Sequence, residues 1–344
     1  MSISYDLTQP VATLLRLGTA EAHERAENSQ GAGWLTRGEL DKSEYVRFLM
    51  MLYHVYEPDL DFVHISSLER ALEQHASHSV LQPTYNPTLL SRTQNIEADI
   101  SFILQVPSSS WQTHPIHVEL MTDPPAPFSD YTTRINTLAI SSDTVETSRL
   151  LAHAYVRYLG DLSGGQFIRR KLAKTYGLED GAGLTFYEFG KLGGESGISG
   201  LGDMKKIKEW YRDGMNSGVG DNQAFKAAIL EEANIAFELN SAIFKILRPP
   251  TQIPMSSSPA IPPLGEPLTP TTEQALNGPP RESKVVAEFA PPQQETTYRV
   301  GSVLALIGAI CISHFLLVIG GFTGERGFGK LEAAQAWFKG AFSG

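Results

Sequence analysis

Thiol chemistry is nearly absent from this chain: among 344 residues the only cysteine is Cys311, and it stands inside an apolar run. That excludes an intrachain disulfide, a zinc-finger ligand set and a cysteine nucleophile in the polar part of the chain. Metal chemistry, if any, must use His, Met or oxygen ligands. Basic charge is scarce too, with 28 Lys and Arg against 38 Asp and Glu and a formal net charge of −10. General electrostatic binding to nucleic acid is therefore excluded, and anionic ligands are left to local basic clusters. No H-E-x-x-H and no G-x-S-x-G is present, and the glycine-rich stretch 181–202 has neither the dinucleotide-binding nor the Walker A spacing, so it reads as a loop. Residues 1–20 lack a basic segment followed by an apolar core, and a secretory leader is not expected.

Charge is missing altogether from Val300 to Gly324, a run long enough to cross a hydrocarbon core of roughly 30 Å as a helix. The expectation is a transmembrane tail anchor over 300–323, followed by a short tail, 324–344. Before it, residues 249–297 hold twelve of the 21 prolines, mixed with Ser, Thr and Gln. This composition predicts a disordered linker over 249–299. A lone apolar segment near the C-terminus favours a cytosolic N-terminal domain tethered by its tail. The working domain is then residues 1–248.

Within that domain the apolar period is helical almost throughout, as in Tyr45, Phe48, Leu49, Leu52 and Tyr56 or Leu151, Ala154, Tyr155, Tyr158 and Leu162. Helices are predicted near 10–28, 38–77, 88–103, 130–140, 144–176, 203–217 and 221–247. The expected fold class is all-α, a single multi-helix domain.

Three constellations could carry chemistry. In the first predicted helix Arg16 and His23 fall on one stripe, about 10 Å apart along the axis, which suits a ligand with an electrophilic centre and an anionic edge. A satisfied surface histidine is the plainer reading of that helix alone. Lys205, Lys208 and Arg212 share a second face, a seat for carboxylates or phosphates if it is more than solvated charge. The third is "YLGDLSGGQ", 158–166, where Gly160 and Gly164 at i, i+4 strip one side of a helix. Interior glycines cost about 1 kcal/mol each relative to alanine. They serve either close helix packing or a flat ligand, and Asp161 beside them, with Arg157, Tyr158 and Tyr155 upstream, favours a polar network next to a ligand. Asp61 and His64 have the spacing of half a di-iron site without a second half. His54, His75, His78, His114 and His117 read as ordinary polar positions.

Taken together, "AHERAEN" (22–28), "LYHVY" (52–56), "AHAYVRYLGDLSGGQ" (152–166), "KEWYRDGMN" (208–216) and "EEANIAFELN" (231–240) resemble haem oxygenase of the membrane-tethered eukaryotic type, in the family's order over essentially all of 10–248. The resemblance implies a haem b sandwiched between a proximal and a distal helix, as both substrate and prosthetic group. It implies His23 as the proximal iron ligand and Arg16, Lys208, Arg212 and Tyr155 as the propionate end of the site. Gly160, Asp161, Gly164 and Gly165 match the distal helix whose backbone lies against the ring; Tyr56, Arg157 and Asn240 match the polar network around Asp161. Val156 stands where the family often has threonine, and the 181–202 loop is longer and richer in glycine.

The activity so implied is oxidative cleavage of haem to biliverdin, carbon monoxide and ferrous iron, using O2 and electrons from an NADPH-dependent flavoprotein reductase. The implied location is a membrane, that of the endoplasmic reticulum, with the catalytic domain in the cytosol. A second reading keeps the fold as a non-catalytic haem-binding or haem-sensing protein, and a third makes it a tethered helical scaffold.

Overall fold

The computed structural model describes residues 5–56, 67–178, 181–194 and 196–251. These form an all-α body: α1 (Val11–Gly18), α2 (Ala20–Glu27), α3 (Gln30–Arg37), α4 (Lys42–Tyr56), α5 (Leu68–Gln74), α6 (Pro87–Leu90), α7 (Thr93–Leu104), α8 (Pro115–Thr122), α9 (Ala126–Ala139), α10 (Thr144–Ser148), α11 (Leu150–Tyr176), α12 (Leu201–Val219) and α13 (Gln223–Lys245). Among the described residues the only β pairing is an isolated bridge, Gly190 to Ile198, inside the glycine-rich loop. The first three residues of the expected linker, 249–251, are described, with Thr251 bonded to Asp41; the rest of the linker, the apolar anchor, Cys311, and the Asp61 and His64 pair lie outside the described residues. No helix among the described residues is long and apolar enough to cross a membrane.

The core is organised around α4, buried at every position from Glu44 to Leu52 and again at His54, Val55 and Tyr56. A helix apolar on all sides must be covered on all sides, and α5, α7, α8 and α9 do this. Its polar members are paired: Arg47 binds Glu44 and donates to the carbonyl of Ile246, closing the C-terminal end of α13. α13 in turn packs on α1, α2, α3, α9, α10 and α11.

Sequence periodicity overran two boundaries, inside 10–28 and inside 38–77, and passed over α3 and α8. The predicted helix 10–28 is two helices, because Thr19 turns its hydroxyl back to the carbonyl of Leu15 at 2.7 Å and sits at φ −110°, ψ 3°. α3 comes next as a separate helix, entered through Ser29, which caps the amide of Ala32, and left through Gly38 at φ 70°. The span 38–77 divides into α4 and α5 around residues that are not described. α8 was not expected at all: it opens on Pro115, behind His114, whose ring accepts from the amide of Ile116.

Candidate functional site

α11 runs unbroken for 27 residues through all three glycines of 158–166. The glycines differ in what surrounds them. A Cβ placed on Gly160 would meet nothing within 4 Å, whereas one on Gly165 would lie 2.8 Å from the ring of Tyr187. Gly165 therefore answers to packing against the 181–202 loop, and Gly160 opens an exposed strip of helix backbone. Gly164, one turn after Gly160, is buried.

Asp161 is 7 % exposed and sits in a closed network. The Tyr56 hydroxyl donates to its Oδ2 at 2.6 Å, and Arg157 reaches Oδ1 at 3.5 Å. Arg157 also donates to the Tyr56 hydroxyl and to Asn240 Oδ1 at 2.8 Å; Asn240 donates to the hydroxyl of Tyr131 at 2.9 Å. The residues the sequence joined to Asp161, namely Tyr56, Arg157 and Asn240, are thus brought to it from α4, α11 and α13. Tyr131, on α9, was missed; it lies 30 positions before Asp161 in a segment with no motif, and only tertiary packing brings it in. Burial pushes the pKa of Asp161 up, against the pull of Arg157, Tyr56 and Arg92. Burial works against the Arg157 charge as well, but Tyr56, Asp161 and Tyr131 outweigh it and keep the guanidinium protonated.

His23, on α2, keeps a partly exposed ring whose Nδ1 lies 3.5 Å from Glu27 and whose edge meets Phe237 of α13, with centroids 5.6 Å apart. Phe237 and Asn240 are three residues apart on α13 and so share one face of it. One turn of α13 therefore touches both His23 and the Asp161 network. The chief packing partners of α2 are α13, α1 and α3, and those of α11 are α13, α3, α12 and α5. α13 is thus the packing partner common to the helix that carries His23 and the helix that carries the glycines.

A group of cations gathers near Tyr155 of α11. Asn216 of α12 accepts from the amide of Ala12 at 3.0 Å and ties α1 to α12, so that Arg16 and Arg212 both act on the hydroxyl of Tyr155, which also bonds Thr19. Burial raises the pKa of Tyr155 against those three partners. Lys208 is half-buried; its Nζ contacts Ser163 Oγ at 3.4 Å, and burial, with Arg212 nearby, lowers its pKa. Among the described residues no carboxylate pairs with Lys208, Arg212 or Arg16. Lys205, expected on the same stripe, is exposed and lies 4.0 Å from Glu209 instead.

Two further histidine sites are built into the core. His153 is fully buried and bonded to Glu232 Oε1 at 2.9 Å, on the far side of α11 from solvent, so it is closed to a ligand. His54 and His117, expected as ordinary polar positions, form a buried pair, their Nε2 atoms 2.9 Å apart and their rings stacked at 5.2 Å. Burial, then His117, lowers the pKa of His54 to about 3.

A family model described as "Heme oxygenase" matches residues 9–246. "Heme oxygenase 2" of Synechocystis is 33% identical over 233 residues, 68% of this chain and 81% of the relative. "Heme oxygenase 1" of Gallus gallus is 30% identical over 243 residues, 70% of this chain and 71% of the relative. The crystal structure of the Synechocystis heme oxygenase-2 in complex with heme and NO aligns with a TM-score of 0.56 at 32% identity, over 69% of this chain and 84% of that one.

Proposed function

The chain belongs to the haem oxygenase family, and from that premise we propose how its own residues divide the work of degrading haem, which is its substrate and bound group. The observation that carries the assignment is the single turn of α13 that holds Phe237 against His23 and Asn240 against the Asp161 network. A flat ring fits a slot walled by a bare helix strip at Gly160 and an imidazole opposite, and two carboxylates fit a half-buried lysine and two arginines that no acidic group among the described residues neutralises. His23 is the iron ligand in this reading, and Lys208, Arg212, Arg16 and Tyr155 hold the propionates.

Bound haem supplies an iron that activates O2 and the macrocycle that is opened, giving biliverdin, carbon monoxide and ferrous iron. The protein supplies position and protons. Gly160 and Gly164 would present helix backbone rather than a side-chain acid or base to a bound haem. Asp161 orders water there and passes protons through it, with Tyr56 and Arg157 fixing the carboxyl and Asn240 and Tyr131 fixing Arg157. Lys208, Arg212, Arg16 and Tyr155 would hold the propionates and so fix the rotational setting of a bound haem. A purely haem-sensing protein would not need that proton-handling network.

We propose further that the chain is the tethered form of the family: linker 249–299, transmembrane anchor 300–323 and tail 324–344, with residues 1–248 on the cytosolic face of the endoplasmic reticulum and electrons from an NADPH-dependent flavoprotein reductase on the same surface. The uncharged run at 300–324 supports the anchor. The test adds haemin, reductase and NADPH to the protein and tracks the Soret band, carbon monoxide and biliverdin together. His23→Ala is expected to lose both the imidazole-ligated spectrum and turnover; an unchanged spectrum would move the ligand elsewhere. Lys208→Gln/Arg212→Gln is expected to change which biliverdin isomer forms more than how fast, and an isomer distribution identical to wild type would remove the propionate assignment.

A further inference from the structure

On the molecule's surface, away from the haem slot, α7 and α11 end beside one another and leave a groove of about 650 Å³ lined by Lys42, Phe102, Val106, Pro107, Tyr176 and Leu178, among others. Its apolar character is unusual for exposed surface, since Phe102 is 50% exposed. The shape is built in. α7 stops at Gln105, the one non-glycine residue with positive φ (57°) among the described residues, and the amide of Val106 turns back to the carbonyl of Ser101 at 3.1 Å. That reversal sets Val106 and Pro107 beside the exposed Phe102. On the opposite wall Tyr176 is held from behind, its hydroxyl donating to the carbonyl of Leu40 at 2.8 Å, with Lys42 Nζ 5.7 Å from its ring centre.

The described chain leaves the body at the same wall. The amide of Thr251 donates to Asp41 Oδ2 at 3.0 Å, and its hydroxyl donates to the same oxygen. Leu40, Asp41 and Lys42 are consecutive: the first anchors Tyr176, the second clamps the departing chain, and the third lines the groove. Beyond Thr251 the sequence reads "QIPMSSSPAIPPL", residues 252–264, with Ile253, Pro254, Met255, Ile261 and Leu264 as its large apolar members and no charge. Each residue spans at most about 3.5 Å, so Ile253 and Met255 come within about 15 Å of the clamp. Proline-rich segments favour the extended polyproline conformation and bind aromatic-lined grooves, having little conformational freedom to lose.

We propose that residues 253–264 of this chain dock in the groove between the ends of α7 and α11, as an intramolecular latch that fastens the start of the linker to the catalytic body. The latch shortens the free tether from residues 252–299 to 265–299, and so limits how far the body can move from whatever the C-terminal run is fixed to. It is independent of the haem assignment, because no residue lining the groove is among those assigned to haem.

The experiment is hydrogen exchange on the full chain in detergent micelles, reading peptides that cover 101–108 and 175–178. Ile253→Asp/Met255→Asp/Ile261→Asp is expected to raise their early deuterium uptake several-fold while leaving haem binding and turnover as in wild type. A synthetic peptide of residues 252–264, added to the variant, is expected to restore the protection. Uptake unchanged by the triple substitution overturns the proposal. So does protection that disappears on dilution, which would make the occupant a second copy, or protection that arises only on adding reductase or phosphatidylcholine vesicles.

Discussion

Gly160 and Gly165 look alike in the sequence and are expected to respond oppositely to the same substitution. Alanine at Gly160 meets empty space and improves helix propensity, so Gly160→Ala should raise unfolding free energy by about 0.5–1 kcal/mol while impairing haem turnover. Alanine at Gly165 meets the Tyr187 ring 2.8 Å away and must displace it; Gly165→Ala should lower stability by about 1–3 kcal/mol. Urea melts of the two apo variants beside their biliverdin yields check both halves, and a destabilised Gly160→Ala would remove the open strip from the argument. Asp161→Asn is a third case at this scale. Burial already raises the Asp161 pKa, so the ionised carboxyl costs the folded state stability at neutral pH, a cost that grows as pH rises through the folded value. The neutral isostere is expected to fold at least as well and to bind haem with a normal Soret band, but to lose biliverdin formation; normal yields would sink the proton role.

Elements were less legible than residues, for reasons of local chemistry. Motifs such as "GDLSGG" carry their meaning in adjacent positions, and the Asp161 network assembled from them as expected. The break at Thr19 depends on one hydroxyl choosing its own helix's carbonyl, which periodicity cannot see because the apolar stripe continues across it. The His54 and His117 pair joins α4 to α8 across 63 positions, and no spacing rule links them. That pair makes a prediction about the two helices. With its folded pKa lowered to about 3 from 6.5, His54 adds no cost above pH 6.5, and stability is lost as pH falls below it; at pH 5 the loss is about 2 kcal/mol. Asp99 runs the other way, since burial raises its pKa to about 6 and protonation relieves the folded state as pH falls. Glu232, held at about 2 by Arg134 and His153 against its burial, contributes fully above about pH 4.5 and loses that contribution as pH falls from there toward 2. The histidine pair is isolated by comparison: His54→Leu/His117→Leu is expected to lose about 2 kcal/mol less than wild type between pH 8 and pH 5 in urea melts. Equal losses would show that the two rings are not buried neutral.

For the whole molecule the deciding feature is charge distribution along the chain. The net charge of −10 belongs to a chain whose cations are few and in the body mostly committed: Arg47 to Glu44, Arg134 and Arg149 to Glu232, Arg169 to Glu188. Arg16 and Arg212 meet at Tyr155 and Lys208 lies beside Arg212, and since no carboxylate among the described residues pairs with these three, their field is uncancelled locally. The same balance disfavours adsorption of the body to anionic lipid, and the proposed tether therefore assigns membrane attachment to the uncharged run at 300–324. Transfer of that many apolar side chains into hydrocarbon is strongly favourable, and electrostatics contributes little to it. The full chain is therefore expected to cosediment with neutral phosphatidylcholine vesicles at both low and high salt. A chain ending at Thr251 is expected to stay in the supernatant at either salt concentration and still bind haem. Vesicle binding by the shortened chain would place the attachment in the helical body, and salt-sensitive binding by the full chain would make it electrostatic rather than a span.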